Sequence, residues 1–306
     1  MKAAWGLVVL TLLGVGCRRD RPAATETARA APSADAAGAI THPGPSALAV
    51  TVELAVTGPP GLDPARLEAA VRDGLLAAPG VTAGSSAGGV ASPARVVLQL
   101  GYDVDPDAGR VVMTVEGQVR VVGQDRQVGA RAAGERATDP GGWLGPARAL
   151  ADALTSVVTT ELAAKLTLWL GDDAALGARA AGDDLELAAW AFELAADRRS
   201  RVAWTAALAR VRGPGRVAAA ATEYLVALGD PAAMSAIAGA ADFSDRAALA
   251  AAIEAAAVLG GDDAEMFLEL LASGGTEADT RARAAEALVR LRRRGPGPDA
   301  AAAVSR

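Results

Sequence analysis

The segment Leu228-Gly229-Asp230-Pro231-Ala232-Ala233-Met234 has an echo 31 positions on, in Leu259-Gly260-Gly261-Asp262-Asp263-Ala264-Glu265-Met266. Each copy reads as the end of one helix and the start of the next. The Gly after Leu228 or Leu259 suits the left-handed residue that follows a helix. Asp230 or Asp262 then offers a side-chain oxygen to cap the following helix, and Pro231 fits its first position. Leu291, 32 positions beyond Leu259, closes the run Arg281–Leu291, and a fainter copy, Leu170-Gly171-Asp172-Asp173, lies 58 positions before Leu228. Between these marks, apolar residues recur at helical spacing. One face joins Leu187, Trp190, Ala191 and Leu194; another joins Trp204, Ala207, Leu208 and Val211. A third carries Val217, Ala221, Tyr224, Leu225 and Leu228, and a fourth carries Leu249, Ile253, Ala256 and Leu259. Met266, Phe267, Leu270 and Leu271 form a short partner helix.

This pattern resembles HEAT-like helical repeats of the short, roughly 30-residue kind, in which no helix pair covers its apolar face alone and pairs therefore stack. About three and a half repeats fit within 183–292. The resemblance implies a solenoid over 171–292, with a binding ridge on the second helix of each pair, near Ser200–Val211, Pro231–Ala241 and Asp263–Ala272.

Upstream, residues 47–170 read as an α/β domain. Leu48, Val50, Val52, Leu54 and Val56 alternate as a strand, broken by Gly58-Pro59-Pro60-Gly61. Asp63 and Pro64 then start a helix that runs to about Ala78 with Leu67, Val71 and Leu75 inward. Val81–Ser92 is expected to be a loop. Three strands follow, at Arg95–Val104, Arg110–Val122 and Gln127–Thr138. The second sets Val111, Met113, Val115 and Val119 against Val112, Thr114, Glu116, Gln118 and Arg120. The third, rich in small residues, is expected at an edge. A long helix over about Gly145–Leu170 carries Leu150, Leu154, Val157, Val158, Leu162, Leu166 and Trp169 inward. The expected fold is therefore α+β: a small β-α-β-β-β-α domain, one sheet under two helices, followed by the all-α repeat solenoid. Behind the N-terminal segment described next, this element order is similar to the small α/β domains of bacterial envelope-assembly and transport-auxiliary lipoproteins.

Residues 1–16 read as a signal peptide. Met1-Lys2 supplies a positive start, and the apolar run Ala3–Val15 suits a signal core, being shorter than the ~20 residues a spanning helix needs. Gly16 precedes Cys17, the one Cys of the chain, with Leu13 nearby and Gly14 where a Leu is usual. The segment resembles a bacterial lipoprotein signal. That resemblance implies lipidation of Cys17 with palmitate-type acyl chains, anchoring at a membrane, and, since Arg18 rather than Asp follows, the outer membrane facing the periplasm. Residues 17–46, with Pro22, Pro32, Pro43 and Pro45 and no apolar period, read as a disordered stalk, and 293–306 as a disordered tail.

Composition narrows the function. One Cys and one His exclude an intrachain disulfide framework and a Cys/His zinc site. The lone His42 lies in the stalk between Thr41 and Pro43, a solvated position rather than a catalytic one. The net charge of −6 and 3% aromatic content argue against nucleic-acid binding. Lys occurs only at Lys2 and Lys165, so nearly all positive charge is Arg.

Each chemical motif has a structural explanation. Asp103-Val104-Asp105-Pro106-Asp107-Ala108-Gly109 begins like a calcium loop, but Ala108 stands where Gly is needed and Thr114 where Glu is needed, so it reads as a hairpin turn. Gly84-Ser85-Ser86-Ala87-Gly88-Gly89 has no following Lys and reads as a flexible loop. Asp172-Asp173, Asp183-Asp184 and Asp262-Asp263 fall at helix starts, where acids cap. Arg290 and Arg292–Arg294 form a basic helix end before Gly295-Pro296-Gly297-Pro298. No catalytic, cofactor or metal residues are expected.

The reading that follows is a lipid-anchored, non-enzymatic adaptor that binds an unidentified protein on its repeat surface. The segment 171–286 holds 19 acidic residues against 10 Arg, which favours a basic or polar partner. The alternative is an envelope lipoprotein whose α/β domain binds a lipid or small molecule.

Overall fold

The structure is a computed structural model that describes residues 47–56, 61–84, 91–105, 108–138, 142–274 and 277–294. The chain is α+β, a five-stranded mixed sheet together with about ten helices. The described residues form two compact units, and the changeover falls between Gly171 and Asp172.

The first unit contains β1 (Leu48–Val56), α1 (Pro64–Leu76), β2 (Val81–Ala83), β3 (Ser92–Asp105), β4 (Arg110–Val121), β5 (Gln127–Ala137) and α2 (Leu144–Leu170). The strands lie in the order β2-β1-β3-β4-β5. β1 runs parallel to β2 and β3, whereas β3, β4 and β5 are antiparallel. The segment Val81–Ala83 is a strand and not the expected loop, so the order is β-α-β-β-β-β-α. Three residues are too few to show alternation, and only Val81 of the three turns inward. Backbone pairing of Leu48 with Val81 and Val50 with Ala83 defines the strand.

Asp63 caps α1 as expected, accepting from Ala65 N at 3.1 Å and Arg66 N at 3.2 Å. Leu67, Val71 and Leu75 are buried beneath α1. On β4 the buried set is Val111, Met113, Val115, Val119 and Val121, while Thr114, Glu116 and Gln118 lie half-exposed on the open face. α2 packs over β4 and β5 with Leu150, Leu154, Val158, Leu162, Leu166 and Trp169 buried. Val157, expected inward, is half-buried. Burial of each such side chain is worth about 1.5–3 kcal/mol. Gly117 permits the close approach, because a Cβ there would lie 2.8 Å from both Leu162 Cδ1 and Val158 Cγ1. β5 takes one edge of the sheet, as its small residues led one to expect.

The second unit is helical: α3 (Asp173–Ala180), α4 (Leu185–Asp197), α5 (Trp204–Arg210), α6 (Gly215–Leu228), α7 (Met234–Ala240), α8 (Arg246–Leu259), α9 (Asp262–Gly274) and α10 (Ala278–Arg294). Single 3-10 turns, Arg201–Ala203 and Pro231–Ala233, lead into α5 and α7. Asp172, Asp184, Asp230 and Asp245 cap the segments that follow them. Gly229 ends α6 at φ 69°, as expected of it. Asp262 instead lies within the first turn of α9, where its charge opposes the helix dipole. α4 adjoins α6, α6 adjoins α8 and α8 adjoins α10; α3 adjoins α5 and α7 adjoins α9. Alanine fills half of the buried apolar positions, interleaved with larger groups such as Trp190, Phe192, Tyr224, Leu225, Ile253 and Phe267. The Phe192 and Tyr224 rings lie 5.8 Å apart and tilted by 33°.

Candidate functional site

Arginines tie successive segments of the helical unit together at separations near 30 residues. Arg201 Nη2 donates to Asp230 at 2.8 Å, 29 positions on. Arg216 reaches back to Glu186, 30 positions away, and to Glu193, each at 2.8 Å. Arg246 donates to Glu277, 31 positions on, at 2.7 Å. Arg290 holds Glu254 at 2.8 Å, and Arg292 holds Glu265 at 2.6 Å and also Glu269. Asp230 is held below the usual carboxylate range by the Ala232 N–H and the Arg201 guanidinium. Burial works to lower the Arg216 pKa, yet its two glutamates outweigh burial and raise it. Burial pushes the Tyr224 phenol up to about 12, and its hydroxyl donates to Ser200 O at 2.6 Å.

The surface left after these bonds carries large apolar groups. Met266 is 65% exposed and Leu270 60% exposed, one turn apart on α9. Phe243, following α7, is 59% exposed, and Val202, entering α5, is 46% exposed. Arg201 lies 4.5 Å over the Trp204 ring beside it. The sequence placed Met266, Phe267, Leu270 and Leu271 together on a short partner helix without saying which of them turn inward. Ala264, Phe267, Leu268 and Leu271 turn inward and leave Met266 and Leu270 outside. Neighbours on a helical wheel distinguish a wide buried stripe from a narrow one only through the packing partner. The signal available in the sequence was the acid flanking on both sides, from Glu265 and Glu269.

In the sheet unit two clefts run along the seam of α1 and α2. One, of about 250 Å³, is lined by Gly61, Asp63, Arg66, Arg148 and Asp152. The other, of about 270 Å³, is lined by Arg66, Gly74, Asp152, Thr155, Thr159 and Thr160. Arg66 pairs with Asp152 at 2.6 Å and Arg148 Nε donates to Gly61 O at 2.9 Å, so these charges are already engaged. The Thr155 and Thr159 hydroxyls are buried without a hydrogen-bond partner among the described residues, unlike Thr160 and Thr167, which donate to carbonyls one turn back. Gly74 explains the crowding: a Cβ there would lie 2.5 Å from Thr159 Cγ2.

The remaining sequence motifs are placed as follows. Asp105 accepts from Ala108 N at 2.9 Å and faces Arg110 at 3.7 Å across the β3–β4 hairpin, while Pro106 and Asp107 lie outside the described residues. Cys17, His42, positions 85–89 of the glycine-rich loop and the tail after Arg294 also lie outside them. Of the basic helix end, Arg290 and Arg292 bind the glutamates above, and Arg294 Nη1 donates to Ala257 O at 2.9 Å. Among the described residues no group of three or more His, Cys, Asp or Glu is placed to hold a metal ion, and no helix is long and apolar enough to cross a membrane. Comparison with known proteins finds no matching family model, curated protein or solved structure.

Proposed function

We propose that this chain is a lipid-anchored periplasmic adaptor whose helical unit is a HEAT-like solenoid that binds a protein partner without catalysing a reaction. The observation that carries the reading is the exposed Met266–Leu270 stripe on α9, set among acids already neutralised by Arg292. An isolated apolar residue on a surface is ordinary; a pair one turn apart, with Phe243 and Val202 on the segments of α7 and α5, suits a protein-binding ridge. The pairing of α3 with α4, α5 with α6, α7 with α8 and α9 with α10, and the row α4–α6–α8–α10, supports stacked helix pairs, in which α5, α7 and α9 are the first helices and not, as the sequence suggested, the second. Cys17, after Gly16, supplies the acyl anchor at the outer membrane.

The alternative, a lipid or small-molecule pocket in the sheet unit, draws on the α1–α2 clefts. At about 250–270 Å³ these are below the ordinary range of ligand pockets, roughly 300–1,000 Å³, and their charged groups already bind each other. Two experiments test the reading. Radioactive palmitate should label the wild-type chain and not Cys17→Ser; equal labelling removes the anchor. A photocrosslinking side chain at Met266 should capture a protein in envelope extracts that the same group at Arg66 does not. Capture from Arg66 alone, of a small ligand, makes the pocket reading the better one.

A further inference from the structure

The outer edge of β5 is unpaired by any strand among the described residues. Its 11 residues hold one unbroken register with β4, from Gln127 opposite Arg120 to Ala137 opposite Arg110, with neither bulge nor proline. Thr138 N donates to Gly109 O directly opposite it at 2.8 Å, which fixes the alternation: even-numbered residues bond to β4. The N–H and C=O groups of Gln127, Gly129, Arg131, Ala133 and Glu135 therefore point away from the sheet. Lys165 independently marks the same edge. Its Nζ donates to Gly129 O at 2.7 Å and to Glu161 at 2.5 Å, and its side chain is 4% exposed. Such an edge is a template for another strand unless it is blocked. Here Lys165 blocks the Gly129 end and leaves the stretch from Arg131 onward open.

We propose that this open stretch is an interface between two copies of the chain, β5 pairing antiparallel with the β5 of the copy about a two-fold axis at Ala133. The edge residues are odd-numbered, so odd must meet odd. In the register centred on Ala133, Arg131 stands directly opposite Glu135 of the copy, and symmetry repeats the pair. Centred on Arg131, the two arginines would face each other. The side chains of Arg131 and Glu135 both lie on the open face of the sheet, and Arg131 Nε is shielded from solvent with no hydrogen-bond partner among the described residues. Glu135 is exposed and already near Arg110 at 3.1 Å, so the copy's Arg131 would complete an Arg–Glu–Arg row. The charges are thus self-complementary, which singles out a second copy as the occupant. The lysine clip on each chain limits the shared strand to the region around the axis.

The test uses the full chain carrying Cys17→Ser, so that an introduced thiol is the only one. With Ala133→Cys, mild oxidation should yield a covalent dimer, since the two positions face each other within disulfide reach. Gln127→Cys should stay uncrosslinked, because in this register it lies roughly 40 Å from its own copy. Sedimentation of the Cys17→Ser chain should show a dimer that Arg131→Glu weakens by about ten-fold and that Arg131→Glu with Glu135→Arg restores. Ala133→Pro should leave a folded monomer, because that N–H serves only the outer edge. Should the proline variant fail to fold, the charge swap still decides. A chain that stays monomeric up to its solubility limit overturns the proposal, as does equal crosslinking at 127 and 133, or a dimer indifferent to Arg131→Glu.

Discussion

Where α2 crosses β4, the fit depends on a missing side chain, Gly117, beneath Val158 and Leu162. Where α4 meets α6, it depends on many small ones: Ala188, Ala191 and Ala195 on one helix and Ala220 and Ala221 on the other, around the Phe192–Tyr224 contact. The sheet unit gains its core from large aliphatic groups, so a few interlocking positions set its geometry. In the helical unit half of the buried apolar positions contribute a single methyl, worth about 0.8 kcal/mol each, between the larger groups. Alanine faces slide past each other more readily than interlocked ones, and the register has to come from elsewhere. Arg201, Arg216, Arg246 and Arg290 supply it by reaching across 29, 30, 31 and 36 positions to acids on another segment. The forked guanidinium suits this task better than an ammonium group.

Substitutions in each unit test this contrast, with hydrogen exchange read segment by segment. The largest effect is expected from Phe192→Ala, a loss of about 3–5 kcal/mol, because the alanines around it are too short to fill the cavity. Protection should fall in α4 and α6 and persist in β3–β5; a fall in both units would remove the contrast. Gly117→Ala should cost about 1–3 kcal/mol through overpacking and act on β4 and α2 alone. A neutral result would mean that α2 is as free to shift as the alanine helices. Tyr224→Phe should cost about 1 kcal/mol by leaving Ser200 O without its donor. Tyr224 also gives a pH signature with a definite sign. The native phenol keeps its proton up to about 12, whereas the unfolded one loses it near 10, so its contribution is full below pH 10 and is lost between 10 and 12. Alkaline melting of the helical unit should be blunted by Tyr224→Phe. Arg216→Gln is expected to have the smallest effect, under about 1 kcal/mol, because the pair with Glu186 and Glu193 is partly solvated. Salt should weaken the wild type toward the variant; salt independence would deny that charge sets the register.

Much of this architecture was legible from periodicity. The period-two alternation of β4 and the helical recurrence from Leu150 to Trp169 each rest on several consecutive repeats of one pattern. β2 escaped because its three residues are defined by the hydrogen bonds of β1, which leave no trace in hydropathy. The caps at Asp63, Asp172, Asp184 and Asp230 were readable because capping is local chemistry. The arginine ties were not, since an Arg and a Glu 30 positions apart become partners only when the helices between them are stacked. The exposure of Met266 and Leu270 was hidden for the same reason: a wheel shows which residues cluster and leaves open how much of the cluster a neighbour covers.

The clip made by Lys165 has a practical consequence. It is the one lysine among the described residues, and it is buried. A lysine-specific protease therefore meets no accessible site on that folded surface, and cleavage after Lys165 requires α2 to lift from β5. The rate of that single cut becomes a clock for opening of the sheet unit, with no engineered reporter needed. Amine-directed labels would likewise stay silent on the described surface until the same opening occurs.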